Sequence, residues 1–332
     1  MTTILEVENL RVRFRTLGAL QALLKRVSHP YVQAVCDVSF TLAGGETLAL
    51  VGESGAGKST LARAIIGLVP AHAGSIRFLG KELVGRPQRA FTEVRREAAM
   101  MFQDPAGSLS PRLTVSALVT EPFRIHGMAG RANREEMNRL LQMVNLTENM
   151  AGYFPHQLSG GQARRVGVAR ALALSPQMII ADEPTAGLDV SVQGEVLNLM
   201  ARLQQETGVS FLIITHNLSV VRHVSDRMAI MYLGRFVEQG PTDEIFHHPR
   251  HPYTHALLSA TPDPDPDSTK EKVKLQGEIP SLMNRPEGCE FHTRCPFARQ
   301  RCLTEPPGPS MAGEHHYYTC HYPLERDPRP AA

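Results

Sequence analysis

Gly52-Glu53-Ser54-Gly55-Ala56-Gly57-Lys58-Ser59 fits the pattern G-x-x-x-x-G-K-[ST] without deviation. Glycines let a loop wrap tightly enough for several backbone N–H groups to face one phosphate. The N-terminus of the following helix adds a positive end. In that chemistry Gly52, Ser54, Gly55 and Gly57 shape the cradle and Lys58 reaches the β- and γ-phosphates. Ser59 or Thr60 offers a hydroxyl to magnesium. Downstream, the apolar run Met178-Ile179-Ile180-Ala181 ends in Asp182-Glu183. A buried strand would carry Asp182 to a sheet edge to hold magnesium, directly or through water. Glu183 would then polarise an attacking water. Between these two elements lies a second Gly-rich run, Leu158-Ser159-Gly160-Gly161-Gln162, which opens a helix of its own. One such loop implies a bound nucleotide. Two imply a nucleotide held between two copies of the domain.

The elements that must position these groups follow from hydrophobic pattern and punctuation. Segments 4–14 and 32–42 read as strands, Gly44-Gly45 as a turn and 46–51 as a buried strand feeding the first loop. A helix is predicted over 59–67, ended by Gly67 and Pro70, with strands over 74–79 and 98–102. From Leu113 to Asn149 no strand-like run occurs, which predicts a small helical subdomain, roughly 91–158. Strand and helix then alternate: 178–181, a helix carrying Val192, Val196, Leu199 and Leu203 on one stripe, and 209–214. Such alternation predicts an α/β fold with a mostly parallel sheet covered on both faces.

The composition shifts near residue 245. Fifteen of the 24 prolines lie from Pro241 onward, and the run from Pro262 to Asp267 alternates Pro with Asp, so it reads as a stiff linker. The predicted division is therefore 1–245 and 246–332, with a disordered end from about Leu324. No internal repeat is visible.

Gross numbers exclude several classes. The 332 residues carry a formal net charge of +2 with 42% hydrophobic and 20% charged residues, the balance of an ordinary globular protein. Basic residues are scattered among acids, so no nucleic-acid partner is expected. No apolar run reaches the ~18–20 residues of a membrane span, and the N-terminal residues lack the pattern of a signal peptide. A soluble cytosolic protein is expected, reaching any membrane through partners.

Four of the five cysteines fall in the spacing C-x5-C-x6-C-x17-C, at Cys289, Cys295, Cys302 and Cys320. In a reducing compartment this clustering favours metal over disulfides. Four thiolates can hold tetrahedral zinc, with His292 or His321 as substitutes, or an iron–sulfur cluster. Absence of metal is the third reading. A structural role is expected, because a small Pro-rich module has little core of its own. Cys36 reads as a small buried hydrophobe.

Residues 1–245 resemble the ATP-binding subunit of an ABC (ATP-binding cassette) transporter. The resemblance implies a P-loop NTPase core with an antiparallel β subdomain and a helical subdomain. It implies that Ser159, Gly160, Gly161 and Gln162 bind the γ-phosphate of ATP held by the opposite subunit. Gln103 then senses magnesium and faces the transmembrane partner, Asp189 lies in the loop crossing the dimer interface, and His216 contacts the γ-phosphate. Phe14, with Tyr31 second, is the aromatic that stacks on adenine; an inserted stretch of about 15–31 interrupts the pattern there. Ala56 and Gly187 stand where relatives more often carry other small residues, and neither removes a chemical group.

Phe102-Gln103-Asp104-Pro105, the run Ser108 to Val115 and His251-Pro252-Tyr253-Thr254 are similar to the dipeptide/oligopeptide importer ATPases, more to their F-type subunit, with Ser110 in place of a more usual Asn. The cysteine pattern resembles their C-terminal extension and implies a four-iron four-sulfur cluster. So read, the chain is an ATPase using ATP and Mg2+ at the cytoplasmic face of the inner membrane. Its implied partners are two permease subunits, a related second ATPase or a second copy, and an extracytoplasmic solute-binding protein. Importers of nickel, glutathione or opine-like solutes are the alternative within the family. A soluble ABC-type ATPase acting on nucleic acid or ribosomes is the rival outside it. With the cysteines on their own module, their loss is expected to change ATP affinity little.

Overall fold

The structure, a computed structural model, describes residues 2–16, 31–261, 273, 275 and 277–325. Most of the stretch 15–31, the Pro-Asp run and all but two residues of the end from Leu324 lie outside these. The chain forms two compact units, the first from parts of 1–5, 41–48 and 77–215, the second from parts of 6–40, 49–76 and 216–332.

In the first unit, the strands Ala98–Met101, Met178–Asp182 and Ser210–Thr215 run parallel and adjacent, with Ala98 opposite Met178 and Asp182 opposite Ile214. Every residue of Met178–Asp182 and of Ser210–Thr215 is buried, which is why both read as continuous apolar runs rather than alternating ones. Next to Ser210–Thr215 the sheet continues at Glu46, whose carbonyl accepts the Phe211 N–H at 3.0 Å. The strand predicted over 98–102 is present as Ala98–Met101, preceded by the short helix Phe91–Glu97, and the main helical part of the block predicted as 91–158 follows it.

That helical part comprises Val115–Ile125, capped by Thr114, and Arg134–Met143, capped by Asn133. Their apolar stripes bury Leu118, Val119 and Phe123 on one and Met137, Leu140 and Leu141 on the other. Both helices pack on Gly160–Leu172, and Arg170 pairs with Glu121 at 2.7 Å. The long helix Val190–Thr207 ends at Gly208 with φ 69°, a left-handed stop that suits glycine. Its buried stripe holds Val196, Leu199 and Leu203 as predicted, while Val192 is only partly covered.

In the second unit, strand Tyr31–Ala43 lies beside Thr3–Arg15, and the Asn9 N–H donates to Ser39 Oγ at 2.8 Å. The strand Arg227–Tyr232 pairs antiparallel with Arg235–Pro241, which pairs in turn with Tyr317–Tyr318. This last pairing ties the C-terminal segment into the cassette's own sheet. Glu238 reinforces it: fully buried, its carboxylate accepts N–H groups from Arg250 and His251 and is 2.6 Å from His316 Nε2. The C-terminal segment lies in the same unit as the loop Gly52 to Thr60, and its Tyr253 and Phe291 share a core with Val51, Met228 and Ile230.

Candidate active site and cysteine cluster

The phosphate-type loop leaves the buried strand Thr47–Val51 and enters the helix Lys58–Ile65. Its end glycines are required by space as well as by φ. A Cβ on Gly52 would lie 2.2 Å from Met231 O, and one on Gly57, at φ 105°, would lie 2.3 Å from Ala34 O. The Gly234 N–H donates to Ala56 O at 2.8 Å, seating the loop on the turn after Arg227–Tyr232. Lys58 is buried, and its Nζ donates to Gly52 O at 2.7 Å and Glu53 O at 3.0 Å. The ammonium is thus held inside the loop by the loop's own carbonyls. Ser54 and Gly55 are exposed at the tip, and Ser59 and Thr60 begin the helix. In the same unit, Phe14 is exposed on its strand, Tyr31 lies under the Arg13 guanidinium at 4.4 Å, and His216 is exposed.

The acidic pair belongs to the first unit. Asp182 is 2% exposed at the end of its strand, as predicted. Glu183 adopts φ 51° and its N–H donates to Ile214 O at 2.8 Å, so the chain turns sharply where the strand ends. The Thr215 hydroxyl donates to Glu183 Oε2 at 3.4 Å, which orients the carboxylate.

Arg164, on the helix that begins at Gly160, is the residue that motif reading passes over. It is 2% exposed and donates to Gln103 O at 3.2 Å, Glu183 O at 3.4 Å and Ala186 O at 2.7 Å. One guanidinium therefore ties the glutamine loop to the segment carrying Glu183 and Asp189. Burial lowers its pKa, which the nearby Asp104 and Glu183 charges oppose. The available signal was positional: Arg164 falls between the buried Ala163 and Val166 on its helix.

The second Gly-rich run is a reciprocal cap. The Gln162 N–H donates to Ser159 Oγ at 3.2 Å, and the Ser159 N–H donates to Gln162 Oε1 at 2.9 Å. A Cβ on Gly161 would lie 2.6 Å from Val192 Cγ1, so the glycine permits the close approach of the helix Val190–Thr207. Asp189 caps that helix by accepting the Val192 N–H at 3.0 Å, a structural role beyond the interface role read from the motif. Gln103 is exposed.

Cys289, Cys295, Cys302 and Cys320 line one small cavity, with His292 and His321 also at its wall. Burial pushes the Cys289, Cys295 and Cys320 thiols up, Cys295 to about 11 and Cys320 to about 12, so metal binding at these three would release protons. His292 Nδ1 lies 2.8 Å from Cys289 O and His321 Nε2 2.8 Å from Glu305 O. Among the described residues, no group of three or more His, Cys, Asp or Glu side chains is set to hold a single metal ion. Cys36 is buried in the strand Tyr31–Ala43, as expected of it.

Comparison with known proteins agrees with this arrangement. Residues 35–186 match the family described as ABC transporter, and residues 237–302 match the oligopeptide/dipeptide transporter C-terminal region. The oligopeptide transport ATP-binding protein OppF of Escherichia coli is 47% identical over 308 residues, covering 92% of each chain. The di/tripeptide transport ATP-binding protein DppF of Pseudomonas aeruginosa is 46% identical, covering 84% of this chain and 87% of its own. Among solved structures, the ATP-binding cassette MJ0796 in a dimeric post-hydrolysis state with ADP and Pi superposes with a TM-score of 0.63. It is 28% identical and covers 72% of this chain and 99% of its own. The fold and its loops are those of an ABC ATPase. The chain belongs to the ATP-binding subunits of the oligopeptide/dipeptide ABC transporters.

Arg164→Ala removes a buried guanidinium and its bonds to the carbonyls of Gln103, Glu183 and Ala186, and losing such charged donors costs about 1.5–3 kcal/mol each. Turnover at saturating ATP should fall at least roughly tenfold while nucleotide affinity of the monomer stays within about threefold. Arg164→Lys should not restore it, because one ammonium lacks the planar fork. Phosphate release beside fluorescent-nucleotide titration checks both halves; unchanged turnover would contradict the role.

Proposed function

We propose that this chain hydrolyses ATP to drive a multi-subunit importer of peptides. The observation that carries the reading is an intact set of ABC loops on a chain whose C-terminal region also matches the peptide-transporter extension. Gly52, Ser54, Gly55, Gly57 and Lys58 hold the phosphates. Ser59, Gln103 and Asp182 would hold magnesium, which would supply charge to offset that of the phosphates. Glu183 takes a proton from water as the water oxygen bonds to the γ-phosphorus. The bond to the β–γ bridging oxygen breaks, leaving ADP and phosphate. His216 contacts the γ-phosphate, and Phe14 stacks on adenine.

The run Ser159, Gly160, Gly161 and Gln162 of the opposite subunit completes the site, and Asp189 lies at that interface. Its capped helix end presents N–H groups to the anion. ATP therefore closes a dimer, with a related ATPase or a second copy, and hydrolysis opens it.

Two permease subunits would dock at the cytoplasmic face of the inner membrane, and a solute-binding protein would deliver the peptide from outside. Supporting the docking, a cleft near Gln103 is lined by Met100, Phe102, Leu109 and Ile125, and both Phe102 and Ile125 are exposed. No helix among the described residues is long and apolar enough to cross a membrane.

A four-iron four-sulfur cluster on Cys289, Cys295, Cys302 and Cys320 would serve as a structural staple. Tetrahedral zinc would need thiolates about 3.8 Å apart, from Zn–S bonds of about 2.3 Å. A cubane cluster spreads four thiolates wider. What supports this reading is that the four cysteines, one buried and three partly buried, line one cavity.

Glu183→Gln should bind ATP, elute as a closed dimer and release phosphate roughly 10²–10⁴-fold more slowly. Near-wild-type turnover in the assembled transporter contradicts the role of Glu183. Labelled peptide uptake should vanish with the variant, whereas uptake of nickel instead of peptide would select the alternative substrate class. Protein purified without oxygen should contain iron and sulfide and lose both in Cys295→Ser. Stoichiometric zinc without iron would overturn the cluster and leave the ATPase reading standing.

A further inference from the structure

Glu53 is the first variable position of the phosphate loop, and the C-terminal segment grips it twice. Its backbone N–H donates to the Tyr253 hydroxyl oxygen at 3.0 Å. Its carboxylate accepts two parallel bonds from Arg294, Nη1 at 2.7 Å and Nη2 at 2.9 Å. The Arg294 side chain is only 6% exposed and that of Glu53 26%, so this pair is shielded from solvent as surface pairs are not. The two residues are 241 positions apart in sequence.

The grip is rigid. Tyr253 is fully buried, with ring centroids 4.8 Å from Tyr232 and 5.3 Å from Phe291. The Arg294 guanidinium lies 5.9 Å from the Tyr232 centroid and Arg294 immediately precedes Cys295. Fork-to-fork geometry fixes direction as well as charge.

The consequence falls on the cradle. Lys58 Nζ rests on the carbonyl of the same Glu53 at 3.0 Å, so the residue held by Arg294 also supports the phosphate-binding lysine. With its N–H committed to Tyr253, the peptide before Glu53 has a fixed orientation. Without Arg294, the Glu53 carboxylate would be an unpaired negative charge on the phosphate loop, which disfavours an anionic ligand there.

We propose that Arg294 and Tyr253 are positioning residues of the phosphate loop, through which the cysteine-bearing C-terminal segment sets the affinity of the ATP site. This rests on Gly52 to Thr60 being the nucleotide site, and Lys58→Ala serves as the reference for that reading. The segment after residue 245 is then part of the ATP site's support and not a separate appendage.

The test is titration of the full-length chain with a fluorescent ATP analogue and magnesium, together with steady-state hydrolysis. Arg294→Ala should weaken binding roughly tenfold and raise KM similarly, while kcat stays within about twofold. In a Glu53→Ala background the same change should have no further effect, since its partner is gone. Tyr253→Phe, which keeps the ring packing and loses only the hydroxyl, should weaken binding roughly threefold. Arg301→Ala, in the same segment but paired only at the surface with Glu305, should bind as the wild type does. Wild-type affinity in Arg294→Ala, or additive losses in the double variant, overturns the proposal. Should Arg294→Ala fail to fold by thermal melting, an unchanged affinity in Tyr253→Phe overturns it. Failure of the wild type and Lys58→Ala to differ would instead overturn the nucleotide site itself.

Discussion

Two backbone carbonyls, Met231 O and Ala34 O, stand where side chains at positions 52 and 57 would begin. Backbone at 2.2–2.3 Å cannot yield as a side-chain tip can, so both ends of the phosphate loop must be glycine. The rest of that unit is arranged around this close seating. The strand Arg227–Tyr232 supplies one wall and Tyr31–Ala43 the other, and the turn at Gly234 bonds to Ala56. The loop can then curl until Lys58 reaches its own carbonyls, a geometry prepared for phosphate. Such preorganisation matters because donors already in place need not reorganise when the charge arrives.

In the first unit a comparable function falls to Arg164. Its side chain is buried, so it is not screened as the exposed pair Lys81–Glu93 is, with both partners more than two-thirds exposed. An exposed pair of that kind contributes about 0–1 kcal/mol, whereas stranding a buried carbonyl costs about 1–3 kcal/mol. The glutamine loop, Glu183 and Ala186 are thus held by one side chain, and their relative movement must involve it. The reciprocal cap at Ser159 and Gln162 and the cap at Asp189 hold the two neighbouring helix ends in the same economical way.

Much of this was legible in the residues because burial on both faces leaves an unmistakable run. Met178–Asp182 and Ser210–Thr215 were visible for that reason, with ends displaced by a residue. The glycine loops were visible because their spacing has one common physical use. Other features were hidden. Arg164 looks like one more basic residue on a helix, and only the fold shows that its side chain points inward. The ion pair of Glu53 with Arg294 joins positions that no local pattern connects. Composition at the C-terminus marked a small Pro-rich module, but not the ties by which Glu238 and the strand Tyr317–Tyr318 join it to Arg235–Pro241.

The proposal at the centre of this reading is that each ATP is held by the phosphate loop of one subunit and the Ser159–Gln162 loop of the other. Mixing two inactive chains tests it directly. Lys58→Ala destroys the first loop and Ser159→Arg the second, so each variant alone has no intact composite site. A mixed dimer contains one, formed by the phosphate loop of the Ser159→Arg chain and the Gly-rich run of the Lys58→Ala chain. Phosphate release should therefore reappear on mixing, at up to about half the wild-type rate per dimer on a one-site count. Absence of any recovery, with mixed dimers demonstrated by differential tagging, would contradict the shared site.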